Sequence, residues 1–238
     1  MHAVGVVLAA GLGTRVGADG NKAYLLLAGR SMVTWSLDTL ARIPEVTRTI
    51  LVFRRGEHDL ARDTVRRELG DVPVEFVEGG DTRHASETNL MRYLADDIES
   101  GAVDVVAIHD AARPLAPPAM FTEAITLARR YGGALPALPA ANLAGAGDDG
   151  LSPVPDRAAL VRVQTPQAFR ARDLLAAYRG AESDGFEGTD TSSCVERYTA
   201  VQVRTFAGHA TNFKVTYARD VAVAERLLRD REPLTDSR

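Results

Sequence analysis

The sequence predicts an α/β fold with a doubly wound, mostly parallel sheet, and three observations carry this prediction. Short runs rich in Val and Ile recur along the chain. Amphipathic stretches of helical length lie between them, as repeated strand–helix units require. The length of 238 residues suffices for one large domain with a full core.

The predicted elements follow from hydrophobic periodicity. Strand-like apolar runs lie at Val4–Leu8, Arg48–Phe53, Val74–Val77, Val103–Ile108 and Val201–Thr205. Helical patterns lie at Met32–Ile43, His58–Leu69, Ala85–Ser100, Met120–Tyr131, Ala171–Ala181 and Asp220–Arg231. Because ligands of such sheets bind beyond the carboxyl ends of the strands, we expect functional residues in the loops there.

The stretch Ala134–Val163 interrupts the alternation of strands and helices. It contains four prolines, and the turn signal GDDG lies between two weakly strand-like flanks. We predict a β-hairpin inserted into a single domain of residues 1–238, with a surface loop as the alternative. Projecting hairpins often clasp a partner subunit, so we expect a homodimer.

Composition and charge exclude several classes of protein. The net charge of -4 argues against a nucleic-acid partner, which usually requires a basic excess. The single cysteine, Cys194, excludes an intrachain disulfide and fits a reducing cytoplasm. The apolar run Val4–Ala10 lacks a basic flank, so we interpret it as a strand and not as a signal peptide. No apolar run approaches the roughly 20 residues that span a membrane, and we expect a cytoplasmic protein.

The first loop separates two kinds of nucleotide site. Its segment GLGTRVG nearly matches the dinucleotide motif G-x-G-x-x-G, which must enter a helix at once. Three residues that oppose a continuing helix follow instead: Gly17, Gly20 and Asn21. A long loop that carries Arg15 and Lys22 over a triphosphate is therefore favoured over a dinucleotide-binding oxidoreductase. No Gly-Lys-Ser/Thr follows, which excludes a P-loop.

Five stretches in order along the chain carry a resemblance to a known family. The first, LAAGLGTR…NKAYLLLAG, resembles the signature loop of the sugar-phosphate nucleotidyltransferases. The others are EGGDTRHAS (78–86), IHDAARPL (108–115), VQTPQAF (163–169) and NFKVT (212–216). Together they are similar to the 2-C-methyl-D-erythritol 4-phosphate cytidylyltransferases and to related polyol-phosphate cytidylyltransferases, such as those for ribitol 5-phosphate. The resemblance implies CMP transfer from CTP to a small polyol phosphate, with release of pyrophosphate, in isoprenoid precursor synthesis.

The reaction implied by the resemblance joins two anions, so its site needs cations and a metal. Arg15 and Lys22 would lie over the triphosphate. Lys214, entering from a strand, would lie near the α-phosphate. Asp110 follows the run VDVVAI at its carboxyl end and would hold Mg²⁺ or another divalent cation. His109 beside it is assigned to packing or hydrogen bonding.

The resemblance assigns nucleotide binding to two glycine-containing turns. The first would wrap the triphosphate with the backbone of Ala9, Ala10, Gly11, Leu12 and Gly13. The second would recognise the cytosine edge with Gly79, Gly80 and Ser86, braced by Arg83. Around Pro166, the floor of the site would be ordered by Gln164, Thr165 and Gln167.

Acceptor binding is the part of the pattern that departs from the family. Arg113 would contact the acceptor phosphate or order its loop, and Arg157 would reach the acceptor phosphate of the partner subunit. The family's hairpin usually reads Pro-Val-x-Asp-Thr-x-Lys, whereas this chain reads PAANLAG. The replacements are Asn142 for the aspartate, Leu143 for the threonine and Gly145 for the lysine. The late pair Thr189 and Asp190 is followed by Thr191, where the family usually has an acidic residue.

Losing the hairpin threonine removes a hydrogen bond to the usual acceptor, at a cost on the order of 1–3 kcal/mol. The acceptor therefore stays open between methylerythritol phosphate and ribitol 5-phosphate. A nucleotide-binding homologue without catalytic activity is a further alternative.

Overall fold

The computed structural model describes residues 2–11, 20–140, 144–147, 150–153 and 160–230. The strands in this part of the chain are β1 (Ala3–Leu8), β2 (Leu26–Leu27), β3 (Arg30–Ser31), β4 (Val46–Phe53), β5 (Glu75–Glu78), β6 (Val105–Asp110), β7 (Gly133–Pro139), β8 (Ala144–Gly147), β9 (Gly150–Pro153), β10 (Val161–Val163), β11 (Gln167–Arg170) and β12 (Arg204–Ala207). The α-helices are α1 (Met32–Ala41), α2 (His58–Leu69), α3 (Arg83–Ser100), α4 (Pro118–Tyr131), α5 (Ala171–Asp184), α6 (Thr191–Tyr198) and α7 (Ala218–Arg229), and Lys22–Tyr24 forms a short 3₁₀-helix.

The main sheet is mostly parallel in its central part and antiparallel toward one edge. Its order is β10-β7-β11-β6-β1-β4-β5, and β12 pairs with β7. The pairs β6–β1, β1–β4 and β4–β5 are parallel, whereas β11 runs antiparallel to both β6 and β7. The predicted fold class is thus confirmed, with an antiparallel edge that the sequence did not predict.

Helices cover both faces of the sheet, because alternate side chains of each central strand point to opposite faces. On β1, Ala3 and Val7 pack with α1, α2 and α4, whereas Val4 and Val6 pack with α3, α5 and α6. A third apolar cluster joins α7 to residues beside the carboxyl end of β6, among them Ala112 and Val215. This cluster supports the edge of the sheet at which the strands end.

Most predicted elements match the structure closely, and α2 matches its predicted bounds. The strand predicted at Val201–Thr205 is displaced, since β12 begins at Arg204. Val201 and Val203 pack against the apolar cluster beneath α5 and do not pair with a strand. Their apolar character, which suggested a strand, comes from this packing.

The segment 134–163 divides between two sheets. Its ends belong to the main sheet, where β10 pairs antiparallel with β7. Only β8 and β9, in its middle, pair with each other as a separate antiparallel hairpin. The predicted hairpin is therefore shorter than its stated bounds, because Gly133–Pro139 is a buried strand of the core sheet.

Among the residues that the structure describes, no helix combines the length and the apolar character that crossing a bilayer requires.

Candidate active site

A pocket of about 270 Å³ opens where the parallel strands end. It is bordered by the residues that follow β1, by the turn between β5 and α3, by the end of β6 and by Lys214. Nine residues predicted for the site line it together: Ala9, Ala10, Gly11, Lys22, Gly80, Arg83, Ser86, Asp110 and Lys214. The pocket lies at the position at which doubly wound sheets bind their ligands.

Asp110 is the centre of a charged cluster in this pocket. Its Oδ1 accepts a short hydrogen bond from Arg83 Nη1, and its Oδ2 accepts one from Lys214 Nζ at 2.9 Å. Arg113 Nε lies 3.7 Å from the same Oδ2. The three cations outnumber the two carboxylates that they contact, Asp110 and Glu87, so the cluster favours an anionic ligand.

The ionisation of Asp110 is fixed by this cluster. Burial alone would raise the pKa of Asp110, but attraction to Arg83, Lys214 and Arg113 outweighs burial and holds the pKa well below its usual value. The carboxylate is therefore ionised throughout the neutral range.

His109 and Thr165 position the backbone of Asp110. The carbonyl of Arg113 can only accept, so the contact of 3.0 Å between it and His109 Nε2 places the ring proton on Nε2. Nδ1 then accepts from the Thr165 hydroxyl at 3.0 Å, and Thr165 Oγ1 accepts from Asp110 N at 3.0 Å. Burial lowers the pKa of His109 to about 4, in agreement with a neutral ring. His109 thus packs and hydrogen-bonds, as predicted.

Lys214 reaches the pocket from an irregular segment, and the predicted strand at NFKVT is wrong. Residues 212–216 form no strand; Val215 N donates to the Ala112 carbonyl at 2.8 Å. Phe213 and Val215 pack into the third cluster while 43% of the Lys214 side chain is exposed. This alternation resembles a strand in sequence, but it arises from packing on either side of one charged residue.

Buried amides hold this segment in place. Gln164 Nε2 donates to the carbonyls of His209 and Asn212, each at 3.0 Å, and Asn212 Nδ2 donates to the Thr165 carbonyl at 2.8 Å. Arg113 Nη1 also donates to the Asn212 carbonyl, at 2.8 Å. Gln164, Thr165 and Arg113 therefore order the site, and of the two alternatives for Arg113 the structure displays the ordering contact.

The second glycine turn is closely packed. An added Cβ on Gly79 would lie 2.6 Å from Ala10 Cβ, and one on Gly80 would lie 2.5 Å from Ala85 Cβ. Ser86 Oγ accepts from Gly80 N at 3.1 Å and donates to the Thr82 carbonyl at 2.8 Å. Gly79 does not line the pocket, and its lack of a side chain lets this turn approach the first loop; its predicted contact with cytosine stays a prediction.

Asn21 lines the pocket and was not among the predicted site residues. Asn21 begins the 3₁₀-helix: its Oδ1 accepts from Ala23 N at 3.0 Å, and its Nδ2 donates to the Ala9 carbonyl at 2.7 Å. It thereby fixes Lys22, whose Nζ donates to the Val215 carbonyl at 3.1 Å. Asn before a short polar run is a helix-cap signal and could have indicated this.

Glu87 was also not predicted as a site residue. It lies directly beneath the pocket on α3, with its side chain 1% exposed and 3.2 Å from Arg83 Nε. Burial raises the pKa of Glu87, and attraction to Arg83 opposes that rise. A glutamate on an amphipathic helix is ordinarily exposed, so nothing in the sequence indicated its burial.

Five predicted site residues lie outside the described residues, and their roles stay predictions: Leu12, Gly13, Arg15, Asn142 and Arg157. Leu143 also lies outside them.

The fold and the pocket define a doubly wound α/β protein that binds an anionic ligand at the carboxyl ends of its strands. A model of the IspD family, 2-C-methyl-D-erythritol 4-phosphate cytidylyltransferase, matches residues 3–230. The chain therefore belongs to the 2-C-methyl-D-erythritol 4-phosphate cytidylyltransferase family, which confirms the resemblance seen in its sequence.

Individual relatives agree with this assignment. The 2-C-methyl-D-erythritol 4-phosphate cytidylyltransferase of Cereibacter sphaeroides strain ATCC 17029 is 37% identical over 232 residues, which cover 96% of this chain and 97% of the relative. The protein of the same name from Geobacter metallireducens is 35% identical over 98% of this chain and 100% of its own length. The crystal structure of the Thermus thermophilus protein of that name matches with a TM-score of 0.74 and 28% identity, covering 94% of this chain and 98% of that one. The 4-diphosphocytidyl-2C-methyl-D-erythritol synthase of Anaerococcus prevotii matches with a TM-score of 0.80 and 26% identity, covering 95% and 96%.

Proposed function

We propose that the protein transfers CMP from CTP to 2-C-methyl-D-erythritol 4-phosphate, giving the CDP-polyol and pyrophosphate for isoprenoid precursor synthesis. The observation that carries the proposal is the cationic cluster around Asp110, beside a closely packed glycine turn, in a chain of this family. The acceptor phosphate oxygen bonds to the α-phosphorus of CTP as the bond to pyrophosphate breaks.

The cations of the pocket meet the electrostatic demand of this reaction. Two unit charges 4 Å apart repel by ~1 kcal/mol in water and by ~4 kcal/mol at an effective dielectric constant of 20. Lys22 and Lys214 are positioned to offset this repulsion between the two phosphorylated substrates, and Arg15 would add a third cation. A phosphate oxygen is already a nucleophile, so the site needs no general base.

Ser86 gives the site a means to prefer cytosine. A hydroxyl has one proton and two lone pairs. The Ser86 proton goes to the Thr82 carbonyl and one lone pair accepts from Gly80 N, which leaves one lone pair. The exocyclic amine of cytosine can donate to that lone pair, whereas the corresponding oxygen of uracil cannot. We expect CTP to be used in preference to UTP.

Arg83 and Lys214 already donate to the two oxygens of Asp110, so Asp110 would hold a divalent cation only when the ion arrives with the triphosphate. Proteins commonly hold Mg²⁺ through one or two carboxylates together with substrate phosphates. In the described part of the chain no cluster of three or more His, Cys, Asp or Glu residues could hold a metal by itself. Asp110 would therefore hold Mg²⁺ jointly with phosphate oxygens, and the ion would neutralise charge on the triphosphate.

We propose that the protein is cytoplasmic and forms a homodimer. Its one cysteine, Cys194, is buried and unpaired, in keeping with a reducing compartment. Each subunit's Arg157 would serve the acceptor site of its partner. If so, mixing inactive Arg157→Ala and Lys214→Ala subunits restores activity, because one site of each mixed dimer carries neither change. A monomer in light scattering, or no recovery despite proven subunit exchange, contradicts this arrangement.

Pyrophosphate release tests the proposed reaction directly. The protein is incubated with CTP, Mg²⁺ and either 2-C-methyl-D-erythritol 4-phosphate or ribitol 5-phosphate, and then with UTP or ATP in place of CTP. We expect release with CTP and the methylerythritol acceptor. Release with ribitol 5-phosphate alone would show that the altered hairpin accompanies a change of acceptor. Leu143→Thr should then restore release with 2-C-methyl-D-erythritol 4-phosphate. No release with either acceptor contradicts the function, and equal use of ATP contradicts the base site.

A further inference from the structure

The buried carboxylate of Glu87 has no part in the mechanism above, yet it lies one contact away from Asp110. Its Oε2 accepts a short hydrogen bond from the Tyr178 hydroxyl of α5. Its Oε1 accepts from the Thr191 hydroxyl at the start of α6, at 2.7 Å. Both oxygens are therefore held by side chains from other helices.

Arg83 connects this buried carboxylate to the pocket. Its Nη1 donates to Asp110 Oδ1, and its Nη2 donates at 3.5 Å to the Thr191 hydroxyl, which in turn donates to Glu87. Its Nε lies 3.2 Å from Glu87 Oε1, an ion pair in which Nε makes no hydrogen bond. A planar guanidinium that donates to Asp110 and Thr191 and lies against the Glu87 carboxylate is restricted in its orientation, whereas one held by a single partner can rotate. The Glu87 carboxylate beneath the pocket thus influences the orientation in which the Arg83 guanidinium donates to Asp110.

A role in folding alone explains this arrangement less well. Burying a carboxylate is costly unless it is paired, and apolar residues of similar volume often join helices equally well. Tyr178 already packs by stacking on His84, with ring centroids 4.9 Å apart. Packing of α3 on α5 therefore does not require a charge at position 87.

We propose that Glu87 is a positioning residue for CMP transfer: anchored by Tyr178 and Thr191, it orients Arg83, which in turn holds the Asp110 carboxylate at the pocket. The proposal rests on the proposed function. Glu87 is buried and does not line the pocket, so its effect is expected in turnover and not in the KM for CTP.

Glu87→Gln is the first test, because it keeps the shape of the side chain and removes its charge. We expect kcat to fall about tenfold or more with the KM for CTP changed less than about threefold. Glu68→Gln is the matched control. That side chain is 9% exposed and accepts from Ser31 and Thr34 away from the pocket, so its loss should change stability without lowering kcat.

The second test moves the negative charge from Glu87 to Thr191, which contacts it in the fold. Thr191 Oγ1 lies 3.5 Å from Arg83 Nη2, so an aspartate there would face the same guanidinium. The double variant Glu87→Gln/Thr191→Asp should recover at least about a third of the wild-type kcat. A purely structural role predicts no recovery, and that result, or a Glu87→Gln enzyme with wild-type kcat, overturns the proposal.

If Glu87→Gln does not fold, Tyr178→Phe is the substitute test, because it removes one anchor of the carboxylate and keeps the ring. It should lower kcat about threefold, and an unchanged kcat then overturns the proposal.

A readout without turnover separates this proposal from the proposed function. In NMR spectra the Nε–H signal of an oriented Arg83 should be sharp in the wild type, broadened in Glu87→Gln and sharp again in the double variant. If the wild type releases no pyrophosphate but this pattern holds, the proposed function fails and the positioning of Arg83 stands. If the signal is unchanged in Glu87→Gln, the positioning itself is contradicted.

Discussion

The two sides of the pocket are built in different ways. The strand-supported wall consists of residues 9–11, the turn 79–82 and Asp110. Backbone hydrogen bonds to the sheet hold it: Ala9 N donates to Val52 O at 2.8 Å, and Gly79 N donates to Phe53 O at 2.8 Å. The loop-supported wall, residues 212–216, forms no strand and depends on the side chains of Gln164, Asn212 and Arg113.

The two walls tolerate different substitutions because they are held in different ways. A wall held by its backbone keeps its position when side chains change, but it has no room for added atoms where turns touch. A wall held by a few buried amides has room for its exposed lysine, but it loses its position when one amide is removed.

Lys214→Ala should have the largest effect, because it removes from the loop-supported wall the cation beside the reacting phosphates. We expect kcat for pyrophosphate release to fall at least about 100-fold, since losing a charge-stabilising donor costs ~2.7–4 kcal/mol. Arg62→Ala on α2 removes an exposed cation of the same charge and should leave kcat unchanged. Wild-type turnover in Lys214→Ala would remove this residue from the chemistry.

His109 joins the two walls and makes their stability depend on pH. Its pKa is lowered by burial from about 6.5 in the unfolded chain to about 4. The unfolded chain therefore binds a proton that the folded protein does not, so this stabilisation is complete above pH 6.5 and is lost as pH falls toward 4. The loss amounts to roughly 3 kcal/mol.

His109→Gln should reduce the fall in the free energy of unfolding between pH 7 and pH 4.5, measured by urea titration. His58→Gln, which removes a histidine that is 52% exposed on α2, is the control. Its free energy of unfolding should fall as much as that of the wild type over the same pH range. An equal fall in His109→Gln would show that folding does not lower the pKa of His109.

Gly79→Ala tests the limit on volume in the strand-supported wall. The new methyl group would lie 2.6 Å from Ala10 Cβ and 2.9 Å from Ser86 Oγ, and such overpacking costs about 1–3 kcal/mol. We expect the free energy of unfolding to fall by that amount in urea titration. Gly11→Ala adds the same methyl group where no described atom lies within 4 Å, so its stability should be unchanged or slightly raised. Equal stability of both variants would show that the turn 79–82 moves freely.

The sequence predicted the strand-supported wall better than the loop-supported wall. Buried parallel strands such as β1 and β6 are continuous apolar runs, and glycine turns after them are local signals. These signals predict Asp110 at the end of a strand, and the structure has it as the last residue of β6. The sequence did not predict β7 as a core strand because GALPALP is rich in Ala, Gly and Pro, and it did not predict β11 because QAFR is only four residues long. The pairing of both strands is set by long-range contacts that no local pattern reports.

The same reason explains the errors at Lys214 and Glu87. Apolar residues on both sides of Lys214 indicated a strand, but the support comes from Gln164, which is distant in sequence. Glu87 is buried only because Tyr178 and Thr191 arrive from two later helices. Partners of this kind are defined by the tertiary fold and not by spacing along the chain.

Gln164→Ala is expected to have the smallest effect and tests whether the loop-supported wall depends on single amides. The change removes the donor to Asn212 O at 3.0 Å and the acceptor for His209 N at 3.1 Å. Asn212 O keeps its bond from Arg113, so the segment should shift without unfolding. We expect kcat to fall about tenfold, or about 1.4 kcal/mol, because Lys214 is misplaced and not lost.

Combining Gln164→Ala with Lys214→Ala should then lower kcat no further than Lys214→Ala alone. Additive losses would mean that Gln164 acts elsewhere, and that this wall is not held through its amides.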